Sequence, residues 1–237
     1  MVRISNPIIV ALDVPSAEQA IKLAKELAPV AGLFKIGSEL FTSAGPDIVR
    51  RVQDSGGSVF LDLKFHDIPN TVAKAVGAAA RLGVQMLTIH TSGGLEMMRM
   101  AETTAHEVAS ELQRQPPIVL GVTVLTSFSG PALGEVGQPE NVGAQVERLA
   151  LLAVKAGLRG LVCSPLEITM LRRILPQEIQ LVTPGIRGPG DETGDQKRTL
   201  SAREAMDAGA TWLVIGRPIY AAANPRVAAE AILQSLS

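Results

Sequence analysis

The segment Asp62-Leu63-Lys64-Phe65-His66-Asp67 sets a lysine between two aspartates within one short stretch. An ammonium held charged between carboxylates can oppose negative charge developing on a substrate and then deliver a proton to it. The same residue types also build structural salt-bridge clusters, and spacing alone does not separate the two uses. The preceding run Ser58-Val59-Phe60-Leu61 has the composition of a buried strand. On a regular strand Asp62 and Lys64 share a face, with Cα atoms roughly 6.5 Å apart, while Leu61, Leu63 and Phe65 point the other way. Asp67 falls just past the strand, and Pro69 is expected to stop the ladder.

Such a set must be held by a scaffold, and the chain alternates strand-like with helical patterns throughout. Strands are expected at Ile8 to Asp13, Leu33 to Gly37, Val59 through Asp62, Val84 to His90, Ile118 to Leu125, Leu158 to Cys163, Ile179 to Thr183 and Thr211 to Ile215. Helical segments run from Pro15-Ser16 to Ala28, near Pro46 to Ser55, from about Asn70 to Leu82, and through Met97 and Leu112. Eight strand–helix units in 237 residues predict a closed (β/α)₈ TIM barrel, one α/β catalytic domain spanning residues 1–237. The competing doubly wound sheet would call for a Gly-x-Gly-x-x-Gly phosphate loop in the first turn, which the sequence lacks.

Barrel enzymes carry their chemistry at the carboxyl ends of the strands. Asp13, Lys35, Asp62, Lys64, His90, Thr126, Ser164, Gly185, Gly216 and Arg217 all fall there. The late segments suit an anion. Val214-Ile215-Gly216-Arg217-Pro218 ends a strand with a glycine, for close backbone approach, and then a guanidinium. The connection from Thr183-Pro184-Gly185-Ile186-Arg187 past Gln196 to about Thr199 has the length and Gly/Pro content of a phosphate-closing lid, or of a solvated loop.

Composition narrows the partners. A formal net charge of −1, from 22 basic and 23 acidic residues, gives no field for nucleic acid or anionic lipid. Any phosphate bound should therefore sit on a small ligand. With 46% hydrophobic but 3% aromatic residues, the core is aliphatic. The one cysteine, Cys163, precludes an internal disulfide and suits a reducing cytoplasm. The amino terminus does not read as a signal peptide, and no run has the length of a membrane span. His66, His90 and His106 are too scattered for a zinc site. Cys163 and Met97, Met98 and Met100 fit as core residues.

Asp62-Leu-Lys-Phe-His-Asp-Ile-Pro-Asn-Thr71 closely resembles the signature of the orotidine 5′-phosphate decarboxylase family. Ala11-Leu12-Asp13, Lys35-Ile36-Gly37, Val124-Leu125-Thr126-Ser127, Thr183-Pro184-Gly185-Ile186-Arg187, Gly194-Asp195-Gln196 and Ile215-Gly216-Arg217-Pro218 resemble it too, in order along nearly the whole chain. The resemblance implies conversion of orotidine 5′-monophosphate to uridine 5′-monophosphate in pyrimidine synthesis, without metal or cofactor. It implies an array of Lys35, Asp62, Lys64 and Asp67, with Lys64 as proton donor. Asp67 would cross the interface of a homodimer with shared sites. Asp13 and Lys35 would hold ribose hydroxyls with Thr71 nearby, and Thr126 and Ser127 would meet the pyrimidine. Arg187, Gln196, Gly216 and Arg217 would hold phosphate.

Two alternatives remain at this stage. A magnesium-dependent sugar-phosphate decarboxylase or synthase on a related barrel needs an acidic ligand near the end of the second strand. That place holds Lys35, a poor metal ligand when protonated, although Glu39 is close by. A non-catalytic phosphate-ligand sensor would need the grip around Arg217 but not the Asp62/Lys64/Asp67 cluster.

Overall fold

Eight short apolar runs become strands because each is flanked by turn residues and followed by an amphipathic helix that covers its outer face. The computed structural model describes residues 6–188 and 199–236. Its strands are β1 (Ile8–Ala11), β2 (Leu33–Gly37), β3 (Val59–Phe65), β4 (Met86–His90), β5 (Ile118–Val122), β6 (Gly160–Val162), β7 (Gln180–Thr183) and β8 (Trp212–Ile215). All neighbours pair in parallel, and β8 pairs with β1 to close the barrel. The chain is thus the expected (β/α)₈ TIM barrel.

Two apolar layers follow from strand alternation. Ile9, Ala11, Leu33, Phe60, Met86, Leu120, Val182 and Val214 fill the barrel interior. Residues of opposite parity, such as Ile8, Phe34, Leu61 and Leu87, pack outward against the helices. Continuing the inward parity upward from Leu33, Phe60 and Met86 puts Lys35, Asp62 and Thr88 at the mouth.

The helices begin where sequence supplies caps. Ser16 accepts from the Gln19 N–H before α1 (Ala17–Leu27), and Pro69 occupies the first position of α4 (Pro69–Arg81). Asn141 caps α7 (Val142–Lys155), and Ser201 forms a capping box with Glu204 at α9 (Ala202–Asp207). The remaining helices are α2 (Ser38–Ala44), α3 (Asp47–Asp54), α5 (Gly94–Glu111), α6 (Gly130–Glu135), α8 (Ile168–Ile174), α10 (Arg217–Tyr220) and α11 (Pro225–Gln234). Among the described residues, no helix is long and apolar enough to cross a membrane.

Three expectations need correction. Several strands end earlier than expected, β1 at Ala11 rather than Asp13 and β5 at Val122 rather than Leu125, which places Asp13 and Thr126 on loops. A short helix, α2, intervenes between β2 and the helix expected near Pro46. β3 is not regular at its functional end. Leu61 pairs with Leu87 but Phe65 with Ile89, so β3 bulges between them, and Lys64 takes a left-handed φ of 50°. The simple alternation of Asp62 and Lys64 therefore does not hold, and the strand has ended at Phe65 before Pro69 can stop it.

Candidate active site

The strand ends converge on a cavity of about 550 Å³ at the carboxyl end of the barrel. On one side stands a run of alternating charges. Asp13 Oδ1 accepts from Lys35 Nζ at 2.9 Å; Lys35 Nζ lies 3.7 Å from Asp62 Oδ2; Asp62 Oδ1 accepts from Lys64 Nζ at 2.9 Å. The run crosses from the loop after β1 to β2 and then to the β3 bulge. Exposure varies along it, from 11% for the Lys35 side chain and 13% for Asp62 to 35% for Lys64 and 49% for Asp13.

Burial would raise the carboxyl of Asp62, but the charges of Lys35 and Lys64 and hydrogen bonds from Lys64 and Thr88 outweigh it and hold Asp62 below the usual carboxylate value. Thr88 Oγ1 donates to Asp62 Oδ1 at 3.0 Å and accepts from the Lys64 N–H at 2.8 Å. Gly37 lies close beside this run. A Cβ there would come within 3.1 Å of Lys35 Nζ and 3.4 Å of Asp13 Oδ1.

Arg187, Gly216 and Arg217 also line the cavity, with Gly185 and Tyr220. Gly185 sits at φ 78°, a conformation that suits glycine as the chain leaves β7. Arg187 Nη1 donates to the Ile186 carbonyl at 2.8 Å. Thr126 lines the cavity from the loop after β5.

Of the residues singled out from sequence, Asp13, Lys35, Asp62, Lys64, Thr126, Arg187, Gly216 and Arg217 thus share one cavity. Asp67, Thr71 and Ser127 do not line it and are exposed. Asp67 Oδ1 accepts from the Ile68 N–H at 2.7 Å, and the ion pairs of the Lys35–Asp62–Lys64 run do not include it. Gln196 and most of the expected lid lie outside the described residues. Glu39 lines the cavity from the first turn of α2, yet among the described residues no three His, Cys, Asp or Glu side chains cluster as metal ligands.

Sequence reasoning missed Thr88 and Tyr220. Thr88 had a visible signal: a hydroxyl on the inward parity of β4, two residues above Met86. His90 is half-buried, its ring 5.4 Å from that of His66. Burial, then His66 and Lys64, lower its imidazole below the ordinary value, so it is neutral at pH 7. Cys163 borders the cavity, but burial pushes its thiol up to about 12, which makes it inert.

The arrangement presents an ammonium beside a shielded carboxylate, and two arginines, around one cavity. A family model described as the orotidine 5′-phosphate decarboxylase / HUMPS family matches residues 6–232. The chain is 52% identical over 228 residues to orotidine 5′-phosphate decarboxylase of Moorella thermoacetica, covering 96% of this chain and 90% of that protein. It is 53% identical over 229 residues to the same enzyme of Opitutus terrae, covering 97% of both. Among solved structures, orotidine 5′-phosphate decarboxylase of Lactobacillus acidophilus superposes with a TM-score of 0.86 at 36% identity, covering 98% of this chain and 100% of that one. The enzyme of Pyrococcus horikoshii gives 0.76 at 30% identity, covering 97% and 98%.

Proposed function

This chain belongs to the orotidine 5′-phosphate decarboxylase / HUMPS family, and we propose that it is a carboxy-lyase converting orotidine 5′-monophosphate to uridine 5′-monophosphate in pyrimidine synthesis. The observation that carries this is the Asp13–Lys35–Asp62–Lys64 run sharing one cavity with Arg187 and Arg217. The arginines hold the phosphate at one end, with Gln196 contributing from the loop after Arg187 and Gly216 allowing close backbone approach. Asp13 and Lys35 hold ribose hydroxyls. Thr126 and Ser127 serve the pyrimidine.

The chemistry follows from charge. Breaking the bond to the carboxylate leaves its electron pair on a ring carbon with no carbonyl placed to delocalise it. Lys64, kept charged beside Asp62, opposes that developing charge and transfers its proton to the carbon, becoming a neutral amine that solvent reprotonates. Asp62 near the departing carboxylate repels it in the ground state, and the repulsion falls away as neutral carbon dioxide forms. Phosphate binding, remote from the reacting carbon, fixes the geometry.

The whole chain, residues 1–237, acts as one catalytic domain in the cytoplasm and needs neither metal nor cofactor. Lys35, paired with Asp13 and Asp62, occupies the position where a magnesium-dependent relative would need an acidic ligand. The working unit is a homodimer in which Asp67 of each chain enters the partner's site. In support, Asp67 and Thr71 are exposed beside Ile68, which is 66% exposed and apolar.

The test is loss of orotidine 5′-monophosphate absorbance with purified protein in the presence of a chelator. Turnover that survives the chelator supports the proposal. Turnover restored only by magnesium favours the magnesium-dependent alternative, and nucleotide binding without turnover favours a sensor.

A further inference from the structure

Between β3 and β4 the ladder slips. Asp62, Leu63 and Lys64 fall between the Leu61–Leu87 and Phe65–Ile89 pairs, where β4 supplies only Thr88. Lys64 pays for that bulge with a φ of 50°, a region that side-chain-bearing residues seldom occupy without support. The support comes from one hydroxyl. The Lys64 N–H, taken off the regular ladder, donates to Thr88 Oγ1 at 2.8 Å. The single hydroxyl proton then goes to Asp62 Oδ1 at 3.0 Å. Thr88 is fully buried, so water does not compete for either bond. The same atom therefore tethers the backbone of the ammonium-bearing residue and one oxygen of the carboxylate paired with it.

We propose that Thr88 is a positioning residue for the decarboxylation: its hydroxyl fixes both the bulged backbone of Lys64 and the orientation of Asp62, and so aims the ammonium at the reacting carbon. This rests on the assignment of Lys64 and Asp62 above. A hydroxyl with a purely structural role would affect melting without separating kcat from KM. The two bonds predict more. Thr88 touches none of the groups assigned to phosphate or ribose, so its loss should fall on kcat. Its bond also favours the ionised form of Asp62. The charged and titratable groups around that carboxylate are Lys35 from β2, Lys64 from β3, His90 from β4 and, behind Lys35, Asp13 from the loop after β1. With these unchanged, removing the hydroxyl should move the acid limb of the kcat profile to higher pH.

The experiment compares wild type, Thr88→Val, Thr88→Ser and Lys64→Ala in steady-state turnover of orotidine 5′-monophosphate across pH. Valine keeps the shape and loses both bonds; serine keeps them. The expected result for Thr88→Val is a kcat lower by at least about tenfold, or about 1.4 kcal/mol, with KM little changed and the acid limb raised. Thr88→Ser should recover most of kcat and the wild-type limb. A valine variant with wild-type kcat, a loss confined to KM, or a serine variant as impaired as valine would each overturn the proposal. Should the valine variant not fold, Thr88→Cys decides, because a thiol is a weak donor and acceptor: a lowered kcat with a raised acid limb supports the proposal, and wild-type kinetics overturn it. The controls keep the two claims apart. Active wild type with an inactive Lys64→Ala confirms the assignment beneath, so a failure then belongs to Thr88 alone. A wild type without turnover overturns the activity and this inference together.

Discussion

Replacing Asp62 by Asn keeps the shape of the side chain but removes the negative charge between Lys35 and Lys64. At an effective dielectric constant of about 20, opposite unit charges at 2.9 Å and 3.7 Å attract by about 6 and about 4 kcal/mol. Desolvation cancels much of this, and deleting one member of a buried ion pair costs about 3–5 kcal/mol. Lys64 is 35% exposed, and solvent screening there brings the expected loss of stability at pH 7 to about 2–3 kcal/mol. The pH dependence has a definite sign. Asp62 has a folded-state pKa below its ordinary 3.8, so its charge stabilises the fold above that value, and the contribution is lost as pH falls through the folded-state value. Urea unfolding of wild type and Asp62→Asn at pH 7 and near pH 3 should therefore show a difference that is large at the first pH and shrinks at the second. Other carboxylates titrate in both chains and cancel in the comparison. A difference that is the same at both pH values, or a variant as stable as wild type at pH 7, would refute this account of the charged run.

Arg217→Ala should weaken capture of substrate and binding of product alike, since a charge-assisted contact to phosphate is lost. An effect on kcat/KM below about tenfold, about 1.4 kcal/mol, would mean that the phosphate sits elsewhere. Mixing inactive Lys64→Ala and Asp67→Ala chains should restore activity through hybrid dimers in which one site carries both intact residues. If mass measurements show subunit exchange and the mixture stays inactive, Asp67 acts within its own chain.

Much of the site could be read from sequence because strand parity and strand ends are local properties. β2 matches its expected span, and Lys35 stands at its mouth because it shares parity with Leu33. The β3 bulge was hidden because register depends on the neighbouring strand, and nothing in Asp62-Leu63-Lys64 marks a left-handed lysine as a glycine would have done. Helix α2 was missed because its seven residues bury only Leu40, too little apolar surface to give a periodic signal. Asp67, Thr71 and Ser127 do not line the cavity; each lies past a strand end, where strand parity no longer says which way a side chain points.

The central claim is that Lys64 supplies the proton once the carboxylate departs. The direct measurement is single-turnover decarboxylation of orotidine 5′-monophosphate by wild type and Lys64→Ala, with uridine 5′-monophosphate binding measured on the same preparations. The account predicts that Lys64→Ala retains measurable nucleotide binding through Arg187 and Arg217 and loses decarboxylation. Near-normal single-turnover rates in Lys64→Ala would contradict it.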